Sequence, residues 1–206
     1  MTSNTQLRVA ALLAAVLFSI GYLVVLVIPG GGDVTAKDFA DYYDSVGRKR
    51  VALVLTFVLI AAAWALVWFF AEVKARLADD ALSRAASSVS LLGSGALAVG
   101  AAIMLAPTGV ALNSDADFVG VPIAHTLAQA GLGVMLFVGM WSLALATALV
   151  SVSVHRQALV PRWLSIGGVV ASILMIGSVI WMPGYIFPIW LVVFGLVGLR
   201  ERAPER

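Results

Sequence analysis

The chain has no cysteine and only two histidines among 206 residues. The first absence excludes disulfides, thiolate metal sites and cysteine nucleophiles. Charge is scarce as well. Asp, Glu, Lys and Arg make up 12% of the chain, hydrophobic residues make up 62%, and the mean hydropathy is +1.03. A water-facing domain is about half apolar and about a quarter charged. No Asp, Glu, Lys or Arg falls deep in any apolar run. A proton pump built on a buried carboxylate therefore has none to use, and a retinal Schiff base has no lysine inside a span. HExxH, P-loop and GxSxG patterns are missing. His125 and His155 fall near opposite membrane faces, too far apart to hold one haem iron. No cofactor and no metal is called for. The net charge of +2 comes from basic residues placed at span ends rather than on one face, which leaves no nucleic-acid footprint.

What remains is apolar and long. Runs of about twenty apolar residues recur, each enough to cross a bilayer as a helix. Inside lipid every backbone polar group must bond internally, and the alternation that marks a membrane barrel is absent. The fold class is all-α. The chain reads as one polytopic membrane domain over residues 1–206, a bundle of six transmembrane helices. The expected spans lie at about residues 7–28, 51–70, 87–106, 122–150, 163–182 and 185–199. The first is read as a retained span rather than a signal peptide: Met1 to Gln6 carries no Lys or Arg, and the apolar run is too long for an h-region. Three spans are expected to close on proline and glycine, at Ile28-Pro29-Gly30, Ala106-Pro107-Thr108-Gly109 and Met182-Pro183-Gly184.

Lys and Arg set the orientation. With the N-terminus inside, nine lie on the inner side (Arg8, Lys74, Arg76, Arg84, Arg156, Arg162, Arg200, Arg202, Arg206) and four on the outer (Lys37, Arg48, Lys49, Arg50). The expectation is a multi-pass protein of the bacterial inner (plasma) membrane with both termini cytoplasmic. Arg48-Lys49-Arg50 breaks the pattern. Its side chains either reach for lipid phosphates or pair with nearby aspartates.

Between the first two spans, Thr35-Ala36-Lys37-Asp38 has the form of a capping box, and Phe39, Tyr42, Tyr43 and Val46 follow at helical spacing. This predicts a short amphipathic helix on the outer surface. Glycine and serine crowd the third and fifth spans. Gly168 with Ser172 and Gly167 with Ala171 form small-xxx-small pairs that suit close helix contact. Trp64, Trp68, Trp163, Trp181 and Trp190 read as interface anchors.

The stretch from Asn113 to Gln129 runs from an acidic loop into an apolar helix. His125 and Gln129, four apart, share one face. Measured from the outer span ends, Gln129 lies about 10 Å deep, Tyr22 about 9 Å, Thr56 about 8 Å, Ser178 about 6 Å and His125 about 5 Å. The candidate site is an outward-facing pocket with His125 and Gln129 as its floor. Tyr22, Thr56 and Ser178 form its walls, and Asp115, Asp117, Tyr42 and Tyr185 its rim. The competing account is that these groups hydrogen-bond across helices and only hold the bundle together. Ser90, Ser142 and Thr147, in the inner half, are expected to bond their own helix backbone.

Val160-Pro161-Arg162-Trp163-Leu164-Ser165-Ile166-Gly167-Gly168 and Pro188-Ile189-Trp190-Leu191-Val192-Val193-Phe194-Gly195-Leu196 resemble the closing third of small bacterial six-helix membrane proteins of unknown function, common in actinobacteria. The resemblance implies the membrane bundle and supplies no catalytic residues. The functional reading is a non-enzymatic protein that binds a lipid or another hydrophobic small molecule in that pocket, as a transporter-like or sensory component. The alternatives are a structural or accessory subunit of a larger membrane complex and an intramembrane enzyme using His125. The partners expected are membrane lipids, a hydrophobic ligand, and a protein partner or second copy of the chain.

Overall fold

The computed structural model describes residues 3–29, 35–113, 120–177 and 183–199. Among them every regular element is helical. Helix α1 (Ser3–Gly21) breaks at Tyr22 and Leu23 into a single turn, α2 (Val24–Val27). Next come α3 (Ala36–Asp44), α4 (Val46–Lys74) and α5 (Ala81–Asn113). Then α6 (Val121–Gly133) runs through a π-helical segment, Val134–Met140, into α7 (Trp141–Arg156), and α8 (Arg162–Ile176) and α9 (Ile186–Val197) close the chain.

Four stretches are long and apolar enough to cross a membrane: Asn4–Val27, Val46–Lys74, Ala81–Leu112 and Pro122–Arg156. The helices Arg162–Ile176 and Ile186–Val197 are apolar but shorter. The chain is thus a multi-pass membrane protein, with four full-length spans and two shorter helices where the sequence predicts six spans. The outward surface agrees. Phe57, Trp64, Leu91, Ile166, Ile173 and Ile189 are all more than half exposed, a coat that water would penalise and lipid would not.

A close seam joins α5 to the fourth span. A Cβ on Gly100 would lie 2.5 Å from Met135 Cγ, and one on Gly131 would lie 2.5 Å from the Gly100 carbonyl oxygen. The seam continues at Gly93, where a Cβ would come 2.9 Å from Leu143, and at Gly139, where it would come 3.1 Å from Leu97. The contacting positions on the fourth span, residues 131, 135, 139 and 143, step by four. Four residues carry an α-helix about 40° beyond a full turn, so three such steps would swing the seam about 120° off its partner. The wider π segment absorbs this excess and keeps all four positions facing α5. Helix α8 meets α7 and α9 through Gly168, which lies against the Ser151 hydroxyl and the Trp190 indole nitrogen.

Three local expectations change. Helix α5 does not stop at Ala106 but continues through Pro107 to Asn113. Proline removes one backbone donor, and the neighbouring Thr108, fully buried, is held from outside by a tyrosine described below. Trp190 is not an interface anchor: it is only 5% exposed and packs against Phe69, Phe187 and Phe194. Gly167 is exposed and faces open space, so Gly168 alone of that pair brings helices together. Trp64 and Trp163 are exposed as expected, Ser90 and Thr147 bond carbonyls of their own helices at 2.8 Å, and Trp181 and Met182 lie outside the described residues.

Filling the seam should unfold it. Gly131→Leu is expected to destabilise the protein by about 1–3 kcal/mol or more. Gly95→Leu, where a Cβ meets nothing within 4 Å, should leave the thermal midpoint in detergent unchanged. Equal midpoints for the two variants would refute the seam.

Candidate functional site

Helix α3 forms as its sequence dictates. The Thr35 hydroxyl accepts the Asp38 N–H at 3.3 Å, while Asp38 Oδ2 accepts the Thr35 N–H at 2.8 Å and the Thr35 hydroxyl at 2.6 Å. These two bonds, the hydroxyl's first, hold the Asp38 carboxyl below its ordinary range. Asp38, Asp41 and Asp44 face outward, while Phe39 and Tyr42 are each 1% exposed and face the bundle. Two turns of helix thus seat two aromatic rings on the end of the bundle.

Those rings reach α5 and α6. The Tyr42 and Thr108 hydroxyls are 3.0 Å apart, a buried hydrogen bond that either oxygen can donate. Burial, partly offset by this bond, pushes the Tyr42 phenol up to about 12 from the usual 10.0. Burial also raises the Tyr43 phenol, whose ring meets Tyr42 edge-on at 4.9 Å. Phe39 meets the His125 imidazole edge-on at 5.2 Å. His125 Nε2 lies 3.4 Å from Gln129 Nε2, so the amide N–H donates when the imidazole carries its proton on Nδ1. His125 and Gln129 are both half-buried.

Tyr22 and Tyr185 form a second group. Tyr22 stacks on Phe18 at 5.3 Å and meets Tyr185 edge-on at 5.8 Å. Gly184 lies under Tyr22, where a Cβ would come 3.1 Å from the ring. From this group a cleft of about 460 Å³ runs between α1 and α9, bounded by Tyr185, Ala15, Ser19, Pro188 and Val193. Its lining is almost wholly apolar, and Ser19, its one hydroxyl besides the phenol, already donates to the Ala15 carbonyl at 2.8 Å.

The predicted pocket residues therefore divide. His125, Gln129 and Tyr42 gather beneath α3, while Tyr22 and Tyr185 gather at the cleft. Thr56 is fully buried on α4 and donates to the Ala52 carbonyl at 2.8 Å. Ser178, Asp115 and Asp117 lie outside the described residues. No group of three or more His, Asp or Glu side chains placed to hold one metal ion occurs among the described residues. Thr108 and the cleft residues are newly found. Thr108 looked like part of a proline turn, and alanines and valines carry no chemical signal in a chain made largely of them.

A family model described as Domain of unknown function (DUF4386) matches residues 9–201. The chain belongs to the DUF4386 family. No curated protein and no solved structure matches it. The matched segment contains α3, the His125 group and the cleft, so both sites of this DUF4386 chain lie within the family's shared region.

The Tyr42 bond makes a pH prediction. Below pH 10 the phenol is protonated whether α3 is docked or free, and its contribution is whole. Between about pH 10 and about pH 12 only the free phenol ionises, so docking weakens progressively as pH rises through that window. Tyr42→Phe should cost about 1 kcal/mol at neutral pH and remove that part of the alkaline loss. Ultraviolet phenolate titration and thermal melts of both forms check it. A Tyr42 that ionises near 10 would refute the buried bond.

Proposed function

We propose that this DUF4386 protein binds a lipid or another hydrophobic small molecule between its helices, as a non-enzymatic transporter-like or sensory component. The observation that carries the reading is the α1–α9 cleft. Its volume of about 460 Å³ falls in the usual range for ligand sites, and its apolar walls end on a tyrosine hydroxyl. Such a shape suits an acyl chain or other hydrocarbon group, with the Tyr185 phenol beside its polar end. Exposed Val16, Ile20 and Ile189 bound the opening, so a molecule dissolved in the bilayer reaches the cleft sideways without crossing water.

In this reading the protein lies in a bacterial inner membrane with both termini cytoplasmic, and the cleft and α3 share the outer half. His125 and Gln129 beneath α3, with Tyr42 on α3 itself, form a polar cluster apart from the cleft. The positive-inside count of the sequence supports this orientation.

Native mass spectrometry of the purified protein tests the reading. The wild type is expected to keep a bound hydrophobic adduct. Val16→Trp and Val193→Trp, which fill the cleft from either wall, should lose most of it, roughly tenfold or more, without losing the fold. An adduct held equally by the wild type and both filled variants, or a wild type with no adduct, would sink the proposal.

A further inference from the structure

A second cavity, of about 700 Å³, opens where α2 meets the start of α4, and it is built differently from the cleft. Leu26, Val27 and Val51 give it an apolar half, and Ser45, Gly47 and Arg48 a polar half. Arg48 is exposed, and its guanidinium has no ion-pair partner among the described residues, where the pairs formed are Arg76–Glu72 and Arg84–Asp79. Lys49 adds a second positive charge in the same turn, though it does not line the groove. It is 8% exposed, pairs with no carboxylate among the described residues, and its Cα–Cβ bond tilts toward the same helix end. Two cations in one turn without a carboxylate partner among the described residues favour a negative ligand at this end of α4.

The backbone contributes too. The Ser45 side chain accepts the Arg48 N–H at 3.3 Å, and the Ser45 carbonyl accepts the Lys49 N–H at 3.2 Å. The Val46 and Gly47 N–H groups, in the first turn of a 29-residue helix, keep no protein acceptor among the described residues. Such donors attract anions. A side chain at Gly47 would meet only Ser45 Oγ, at 3.9 Å, so a ligand can approach the backbone there. On the other side of the groove the surface continues as hydrocarbon: Leu26 is 63% exposed, Val51 50% and Val54 59%.

We propose that this groove is a binding site for an anionic phospholipid. The phosphate sits on the Arg48 guanidinium and the Gly47 N–H, and an acyl chain runs along Leu26, Val51 and Val54. The occupant is an amphiphile rather than a soluble anion, because the charged half opens directly onto the lipid-facing surface. The site is separate from the α1–α9 cleft, and either can fail without the other.

The test uses the full chain in detergent, titrated by native mass spectrometry with phosphatidylglycerol and, separately, with phosphatidylcholine. Arg50 is the internal control, since it is exposed in the same turn but does not line the groove. Phosphatidylglycerol should be held about tenfold more tightly than phosphatidylcholine, and Arg48→Ala should remove about that tenfold. Arg50→Ala should cost less than about twofold, the effect of a screened surface charge. Gly47→Phe, which occludes the groove, should weaken binding as Arg48→Ala does. Thermal midpoints confirm that each variant is folded. If Arg48→Ala is not, Arg48→Gln and Gly47→Phe carry the test. Equal losses from the two arginines would mean diffuse attraction and overturn the site. So would equal affinity for the two lipids, or an indifferent Gly47→Phe. Displacement of the lipid by inorganic phosphate alone would mean a free-anion site and overturn the lipid assignment.

Discussion

Backbone contact between α5 and the fourth span is the constraint on which the bundle rests. In lipid, apolar side chains gain little by meeting one another, because hydrocarbon already surrounds them. Helices associate where small residues let backbones come close. Gly93 and Gly100 on one side, and Gly131 and Gly139 on the other, make that approach possible. The seam requires the fourth span to keep a four-residue repeat in register, and the π segment follows from that requirement. Once α5 and the fourth span are fixed, Thr108 and His125 stand at the same end of the bundle. The two inward rings of α3 then have a surface to cover.

The end of the bundle capped by α3 carries a buried polar contact between distant elements. Helix α3 is short, yet it is joined by a buried hydroxyl pair to α5 and by a ring contact to α6. It thereby links the loop after the first span to elements more than sixty residues later. His125 faces a phenylalanine and a glutamine, so its visible role is to seat α3. The groove lies at the start of α4 and the cleft between α1 and α9, both bordered by exposed apolar side chains.

Much of this architecture was legible beforehand. Apolar run length marked the membrane helices, and Thr35 and Asp38 announced the start of α3, because caps and hydrophobic runs act through near neighbours. What depends on rotation or on distant partners was not legible. Pro107 read as a stop because its tolerance depends on partners outside the sequence window. Trp190 read as an anchor because tryptophan suits both an interface and a core, and only Gly168 and Phe69 decide between them. The depth ruler placed Tyr22, Thr56 and His125 in one layer, but depth says nothing about azimuth. Tyr22 turns toward Tyr185, His125 toward Phe39, and Thr56 toward its own helix.

The shortness of α9 has a consequence for the membrane itself. Its twelve residues, bounded by the turn at Pro183–Tyr185 and by Gly198 in a left-handed conformation, span about 18 Å. The hydrocarbon core is about 30 Å thick. Tilting shortens a helix's reach further, so α9 cannot make up the difference by leaning. Were α9 to cross the bilayer, the adjoining leaflets would compress against it, or bend toward it from the longer α1 alongside. The cleft lies on that boundary. A bilayer so thinned would be strained beside the cleft, and a hydrocarbon chain that left it for the cleft would relieve part of that strain.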